Sequence, residues 1–196
     1  WGALWGSGSD STPPLEAVFG ASPAAGKVIA AEIAGQELLV AAPLSSRAPF
    51  RFLVSGPASG CEAVAQLLAA GGAAQGSSDD LRLARLLAGF PGLGGEIDDR
   101  TMPAEVDFDG IGGVLHDKGC YVGQETVARI HFRGHPNWLL RGLRFGPGQP
   151  PIDAEIAAEG KTVIRLGTVA WLAEGGGLGL GKVRRELAPG SVVRLG

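Results

Sequence analysis

Lys118-Gly119-Cys120-Tyr121-Val122-Gly123-Gln124-Glu125 is the stretch that decides how this chain is to be understood. It sits inside residues 116–135, which carry functional side chains more densely than any other part of the sequence. Lys118 stands two residues from Cys120, and a nearby ammonium favours the thiolate, the reactive form of the thiol. Gly119 and Gly123 remove Cβ atoms on either side of Cys120-Tyr121-Val122, so the backbone can turn sharply or approach a ligand closely. Tyr121 offers a ring to stack on a flat heterocycle and a hydroxyl for a polar partner. Gln124 and Glu125 add hydrogen-bonding groups suited to the edge of such a ring. With a helix beginning after Gly123, Glu125 and Arg129 stand one turn apart and can pair. The bland alternative is a strand-to-helix turn around a buried, inert Cys120.

Toward the N-terminus the pattern is mixed α and β. Residues 1–26 are rich in Gly, Ser and Pro and are expected to be irregular. Lys27–Ile33 and Glu37–Ala41 read as a hairpin about Ala34-Gly35-Gln36, and Phe50–Ser55 as a further strand. A helix follows, with Ser59 and Glu62 as a capping box, Val64, Leu67 and Leu68 on one face, and Gly71-Gly72 as its stop. Residues 78–89 fit either helix or strand. Phe90–Gly95 is a Pro/Gly loop, and Glu96, Asp98 and Asp99 form an acidic patch. The sole methionine is Met102 and the first residue is Trp1, so further N-terminal sequence is expected to be missing.

Beyond Leu139 the pattern changes to short strands between Gly/Pro turns: Leu139–Phe145, Thr162–Leu166, Thr168–Leu172 and Ser191–Leu195. That spacing predicts a small antiparallel β-barrel. A boundary near Asn137 therefore divides an α+β region, residues 1–136, from a C-terminal barrel, residues 137–196. Charge divides in the same sense. Residues 1–115 carry 6 basic and 13 acidic side chains, whereas residues 116–196 carry 11 and 7. The positive C-terminal part suits an anionic ligand such as a polyglutamate tail, or a nucleic acid, unless it is only a solvated surface. No apolar run approaches the ~18 residues of a membrane span, and no secretory leader is visible. Two cysteines, Cys61 and Cys120, make no disulfide framework and point to a reducing cytoplasm.

Lys118 to Glu125 resembles the K-G-C-Y-x-G-Q-E motif of the YgfZ family, folate-binding proteins related to the aminomethyltransferase (T-protein) of glycine cleavage. The flanks are similar too. Arg85 to Pro91, Gly94, Glu96-Ile97 and Pro103-Ala104-Glu105 resemble the family's R-x-x-A-G-x-P…G-x-E-I…P-x-E stretch. Arg129 and Arg133-Gly134 match its continuation, and Gly181 to Arg185 resembles its G-x-V-R-R element. The likeness runs from about residue 27 to the end, and most of the family's N-terminal module lies outside it. It implies an aminomethyltransferase-like folate-binding fold, with ferredoxin-like α+β modules and a terminal barrel. It implies tetrahydrofolate or a derivative as ligand, and a role in iron–sulfur cluster assembly or repair and, through it, tRNA modification. The partners would be iron–sulfur proteins or their assembly factors. On that resemblance Cys120 and Lys118 are the functional pair, and Arg85, Glu96, Tyr121, Gln124 and Glu125 line the folate. Gly119, Gly123 and Arg129 shape and lock the segment. Whether a reaction is catalysed stays open.

Five other readings compete. A true aminomethyltransferase shares the scaffold but lacks the Lys-Gly-Cys-Tyr core. A metal site is conceivable from the spacings His116/Cys120 and His131/His135, but Gly119 and Pro136 oppose the helices such pairs need, so surface histidines and no metal are expected. A directly bound iron–sulfur cluster is disfavoured, because two cysteines fall short of the usual four. Gly176–Lys182 fits a phosphate loop except that Val183 stands where Ser or Thr should hold magnesium, and a glycine-rich hairpin is the better account. Finally, Arg141, Arg144, Arg184 and Arg185 could meet RNA phosphates, although few aromatics, chiefly Phe145 and Trp171, accompany them.

Overall fold

The computed structural model describes residues 2–6, 12–147 and 155–193. The chain divides into two compact units, Trp1–Leu81 and Arg82–Gly196. Both are built on antiparallel sheets with helices, so the expected α+β class holds.

In the first unit, β1 (Gly2–Gly6), β4 (Phe52–Gly56), β3 (Gln36–Ala41) and β2 (Val28–Ile33) form one sheet in the order β1-β4-β3-β2. The predicted hairpin is present: Ile33 pairs with Gln36 across Ala34-Gly35, both at positive φ, the twist that suits a two-residue hairpin turn. Strict alternation turns Leu38, Val40, Phe52 and Val54 to one face. That face packs against Cys61, Val64 and Leu68 of α2 (Ala58–Ala70) and Leu15 of α1 (Thr12–Phe19). Each such side chain taken from water contributes about 1.5–3 kcal/mol. Gly60 lets α2 sit down on the sheet, since a Cβ there would lie 2.9 Å from Leu38 Cδ2. Three local expectations change. The N-terminal stretch contains β1 and α1, because Leu4 and Leu15 find apolar cover in this core. Ser59 does not cap α2, whose N-cap is Pro57 with no side-chain cap bond. Leu67 points outward at 47% exposure.

The capping interaction appears instead on α3 (Ser78–Ala88), which settles the ambiguity over residues 78–89 in favour of helix. Asp80 N–H donates to Ser77 Oγ at 3.2 Å, and Ser77 N–H donates to Asp80 Oδ2 at 2.7 Å.

The second unit contains a short 3₁₀ turn (Pro103–Val106), α4 (Gln124–Arg133) and a second antiparallel sheet. Its strands are β5 (Trp138–Phe145), β6 (Glu155–Ala158), β7 (Lys161–Trp171) and β8 (Gly177–Arg184), in the order β5-β8-β7-β6. Among the described residues this sheet is open: β5 and β6 are its two edges, so the expected closed barrel is corrected to a four-stranded sheet. The two strands expected at 162–166 and 168–172 are one strand, β7, interrupted by a register shift between Leu166 and Val169. Residues 191–193 form no strand, and Arg194-Leu195 lie outside the described residues. The glycine-rich stretch is β8, at the centre of the sheet, and Lys182 on it is buried. Its ammonium donates to Thr101 Oγ1 at 2.9 Å and lies 3.5 Å from Asp98 Oδ2, which removes the phosphate-loop reading. Sheet β5–β8 begins one residue past the expected boundary at Asn137, which itself lies within the second compact unit.

Candidate functional site

The site residues all belong to the second unit and form three groups. The first is built on α3 and the loop after it. Phe90 N–H donates to the Arg85 carbonyl, and the chain turns back through Gly92–Ile97, with Glu96 and Ile97 N–H both donating to the Gly92 carbonyl. This brings the Glu96 carboxylate inside, at 2% exposure, so it is no part of a surface acidic patch. Oε2 accepts from Arg85 Nη1 at 2.6 Å and from Gly92 N–H at 2.9 Å. Oε1 accepts from Thr168 N–H at 2.8 Å. Arg85 also donates to the Phe90 carbonyl at 2.9 Å and to Thr168 Oγ1. The β7 irregularity supplies the space: a Cβ on Gly167 would lie 2.5 Å from Glu96 Oε1, and one on Gly95 2.7 Å from Thr168 Oγ1. Burial pushes the Glu96 carboxyl up, but the hydrogen bonds from Arg85, Gly92 and Thr168 outweigh it and hold the group below its usual range.

The second group is the motif. Residues 114–122 carry neither helix nor strand, and Gly123, at φ 86°, ends the stretch as the N-cap of α4. That left-handed conformation is why glycine stands there. Cys120 is exposed, which overturns the buried-thiol alternative; Cys61, by contrast, is buried in the core of the first unit, and both are free thiols. Lys118 Nζ lies 4.6 Å from the centroid of the Tyr121 ring, a cation–π contact. Tyr121 and Gln124 are partly buried, whereas Glu125 is exposed. Arg129 Nη2 donates to Glu125 Oε1 at 2.7 Å, the predicted one-turn pair, with both partners well exposed. Such a pair contributes only about 0.3–0.5 kcal/mol. Gly119 has open space where a Cβ would be.

The third group was not foreseen. Asp109, in the turn after the 3₁₀ segment, lies 2.6 Å from His116 Nε2 through Oδ1 and 3.2 Å from His131 Nδ1 through Oδ2. The two imidazoles stack with centroids 3.8 Å apart. Burial pushes the Asp109 carboxyl up, yet its contacts with His116 and His131 keep it below the ordinary value. One histidine from each of the two weighed spacings is used, but with Asp109 rather than with Cys120 or His135. No sequence pattern marks this, because the partners lie 7 and 22 residues from Asp109 and share no element. Thr168 and Thr101 were likewise unmarked. An open groove of about 370 Å³ is lined by His135, Pro136, Leu139, Arg185 and Glu186, with none of residues 118–125 among them.

Comparison with known proteins finds no matching family model. Among curated proteins, the chain is 38% identical over 85 residues to a tRNA-modifying protein YgfZ of Cronobacter sakazakii. It is 36% identical, over the same length, to proteins of that name from Escherichia coli strains. The match covers 42% of this chain and spans 26% of the length of these relatives. These matches support the YgfZ family for this chain.

Proposed function

We propose that this chain belongs to a tetrahydrofolate-binding accessory protein that supports iron–sulfur cluster assembly or repair and, through it, tRNA modification. The carrying observation is that Cys120, within a motif shared in form with the YgfZ family, stands exposed beside the Lys118–Tyr121 contact. The printed name of the relatives, tRNA-modifying protein, agrees with the downstream role. On this reading the scaffold is the aminomethyltransferase-like folate-binding fold. The groups present fit a folate: Tyr121 offers a ring face, Gln124 and Glu125 hydrogen-bonding groups for a heterocycle edge, and the basic α4 region charge for the ligand's carboxylates. Arg85 and Glu96 hold the 90–97 loop, and on this reading they stand near the ligand. Bound folate would supply one-carbon or redox chemistry. Cys120 is the thiol that contacts the folate adduct or a client cluster, beside the Lys118 ammonium that lies over the Tyr121 ring. Iron–sulfur proteins or their assembly factors are the partners on this reading, and the reducing cytoplasm is its compartment.

The test is calorimetric titration of the intact, full-length protein with tetrahydrofolate and 5-formyltetrahydrofolate, alongside Cys120→Ala. Affinity on the order of micromolar, retained in the variant, supports folate binding with Cys120 in chemistry rather than affinity. No binding by a folded protein refutes it, and an RNA affinity that falls steeply with salt would move function to Arg141, Arg144, Arg184 and Arg185.

A further inference from the structure

Asp109, His116 and His131 converge from three separate segments, and neither the fold nor the folate reading uses them. One carboxylate oxygen and one ring nitrogen from each histidine all lie within 4.8 Å of one another. The histidines address different oxygens of the same carboxylate, at 2.6 and 3.2 Å, and their rings lie nearly parallel, 28° apart. Phe132 packs edge-on against both rings, with centroids 4.7 Å from His131 and 6.1 Å from His116. We propose that Asp109, His116 and His131 form a binding site for a divalent transition-metal ion of the zinc or iron(II) class.

The donor set is what such ions take: two neutral imidazoles and one carboxylate. Bonds of about 2.0–2.2 Å place the donors about 3.0–3.5 Å apart around an ion. The present separations from the carboxylate, 2.6 and 3.2 Å, lie close to or below that spacing, so an ion enters between carboxylate and imidazoles by moving them slightly apart. Magnesium or calcium would instead seek an all-oxygen shell, which this cluster does not offer. Three protein ligands leave at least one coordination position open, and side-chain exposures of 41%, 23% and 37% for Asp109, His116 and His131 turn that position to solvent. The site therefore fits an ion that also holds water or an incoming ligand.

Cobalt(II) is the probe, since it occupies zinc sites and reports its geometry in visible absorption. Titrating the full chain near pH 7 should give one equivalent of bound cobalt with new absorption bands, displaced by zinc. His116→Gln and His131→Gln should each weaken binding by ~10-fold or more, whereas His135→Gln should not. Paramagnetically shifted imidazole resonances from two histidines in the unmodified chain give a readout that needs no variant. The proposal is overturned by absence of cobalt binding to the folded chain. It is equally overturned by shifted resonances from no histidine, by affinity unchanged in both histidine variants, or by an intense thiolate-to-cobalt band that disappears in Cys120→Ala.

Discussion

Arg85→Met removes the only side-chain cation among the described residues from a carboxylate whose own side chain has no exposure, and the size of the loss can be worked out. In the intact protein Glu96 is held below its ordinary value of 4.5, so its contribution is present above pH 4.5 and is lost as pH falls through the lowered folded pKa. Without Arg85, burial, already the largest single influence, is opposed only by the hydrogen bonds from Gly92 and Thr168. Glu96 then either stays charged at a cost or escapes by taking up a proton. Protonation sets the ceiling: at 1.36 kcal/mol per pH unit, the distance from 4.5 to pH 7 is worth about 3.4 kcal/mol. The lost bonds from Arg85 to the Phe90 carbonyl and Thr168 Oγ1 add about 1 kcal/mol, and the remaining donors, Gly92 and Thr168 N–H, lower the total again. The expected loss is about 3 kcal/mol at pH 7, a fall in midpoint on the order of 10 °C for a unit of this size. At pH 5 the protonation ceiling is about 0.7 kcal/mol, so the deficit should shrink to about 1–2 kcal/mol. Urea unfolding followed by circular dichroism at both pH values measures it. A deficit that stays constant from pH 7 to pH 5, or that never exceeds about 0.5 kcal/mol, would refute the account.

Iodoacetamide should label Cys120 in the native protein and Cys61 only on unfolding, read by peptide mass spectrometry; Cys120→Ser should then leave the thermal midpoint within about 1 °C while abolishing function. Gly167→Ala drives a methyl against the Glu96 carboxylate and should cost about 1–3 kcal/mol in thermal denaturation, comparable with Arg85→Met and not additive with it. Thr101→Val removes the largest influence holding the exposed Asp98 carboxyl at about 2, so a carboxyl titration by NMR should move it up toward 3.8.

What could be read from the sequence was what short-range patterns encode. The β2–β3 hairpin, the stop at Gly71-Gly72, the helix opening at Gln124 and the Glu125–Arg129 pair each depend on residues within one turn or one hairpin. What escaped depends on tertiary context. The Ser59/Glu62 pattern suggests a cap that does not form, whereas Ser77/Asp80 forms one that no expectation marked. Gly2–Gly6 is too short and too glycine-rich to announce a strand, yet it adds to the edge beside β4. The barrel was inferred from turn spacing, which fixes that strands alternate and pair but not that the last meets the first. In the site, Glu96 read as one member of an acidic patch; its burial follows from Arg85, 11 residues earlier, and from Thr168 at the shift in β7, 72 residues later. Asp109 carried no mark at all, since its partners become neighbours only after α4 has docked on the 3₁₀ segment.

The kink at Gly167-Thr168 has a consequence in time. Because Glu96 and Arg85 complete their bonds on a strand 72 and 83 residues away, the 90–97 loop cannot acquire its final order until β7 has paired with β8. Contacts of such long sequence separation close late and slow the overall rate. Amide hydrogen exchange in the Gly92–Ile97 turn should therefore be protected only as the second sheet matures, making that turn a reporter of the last step in assembling the second unit.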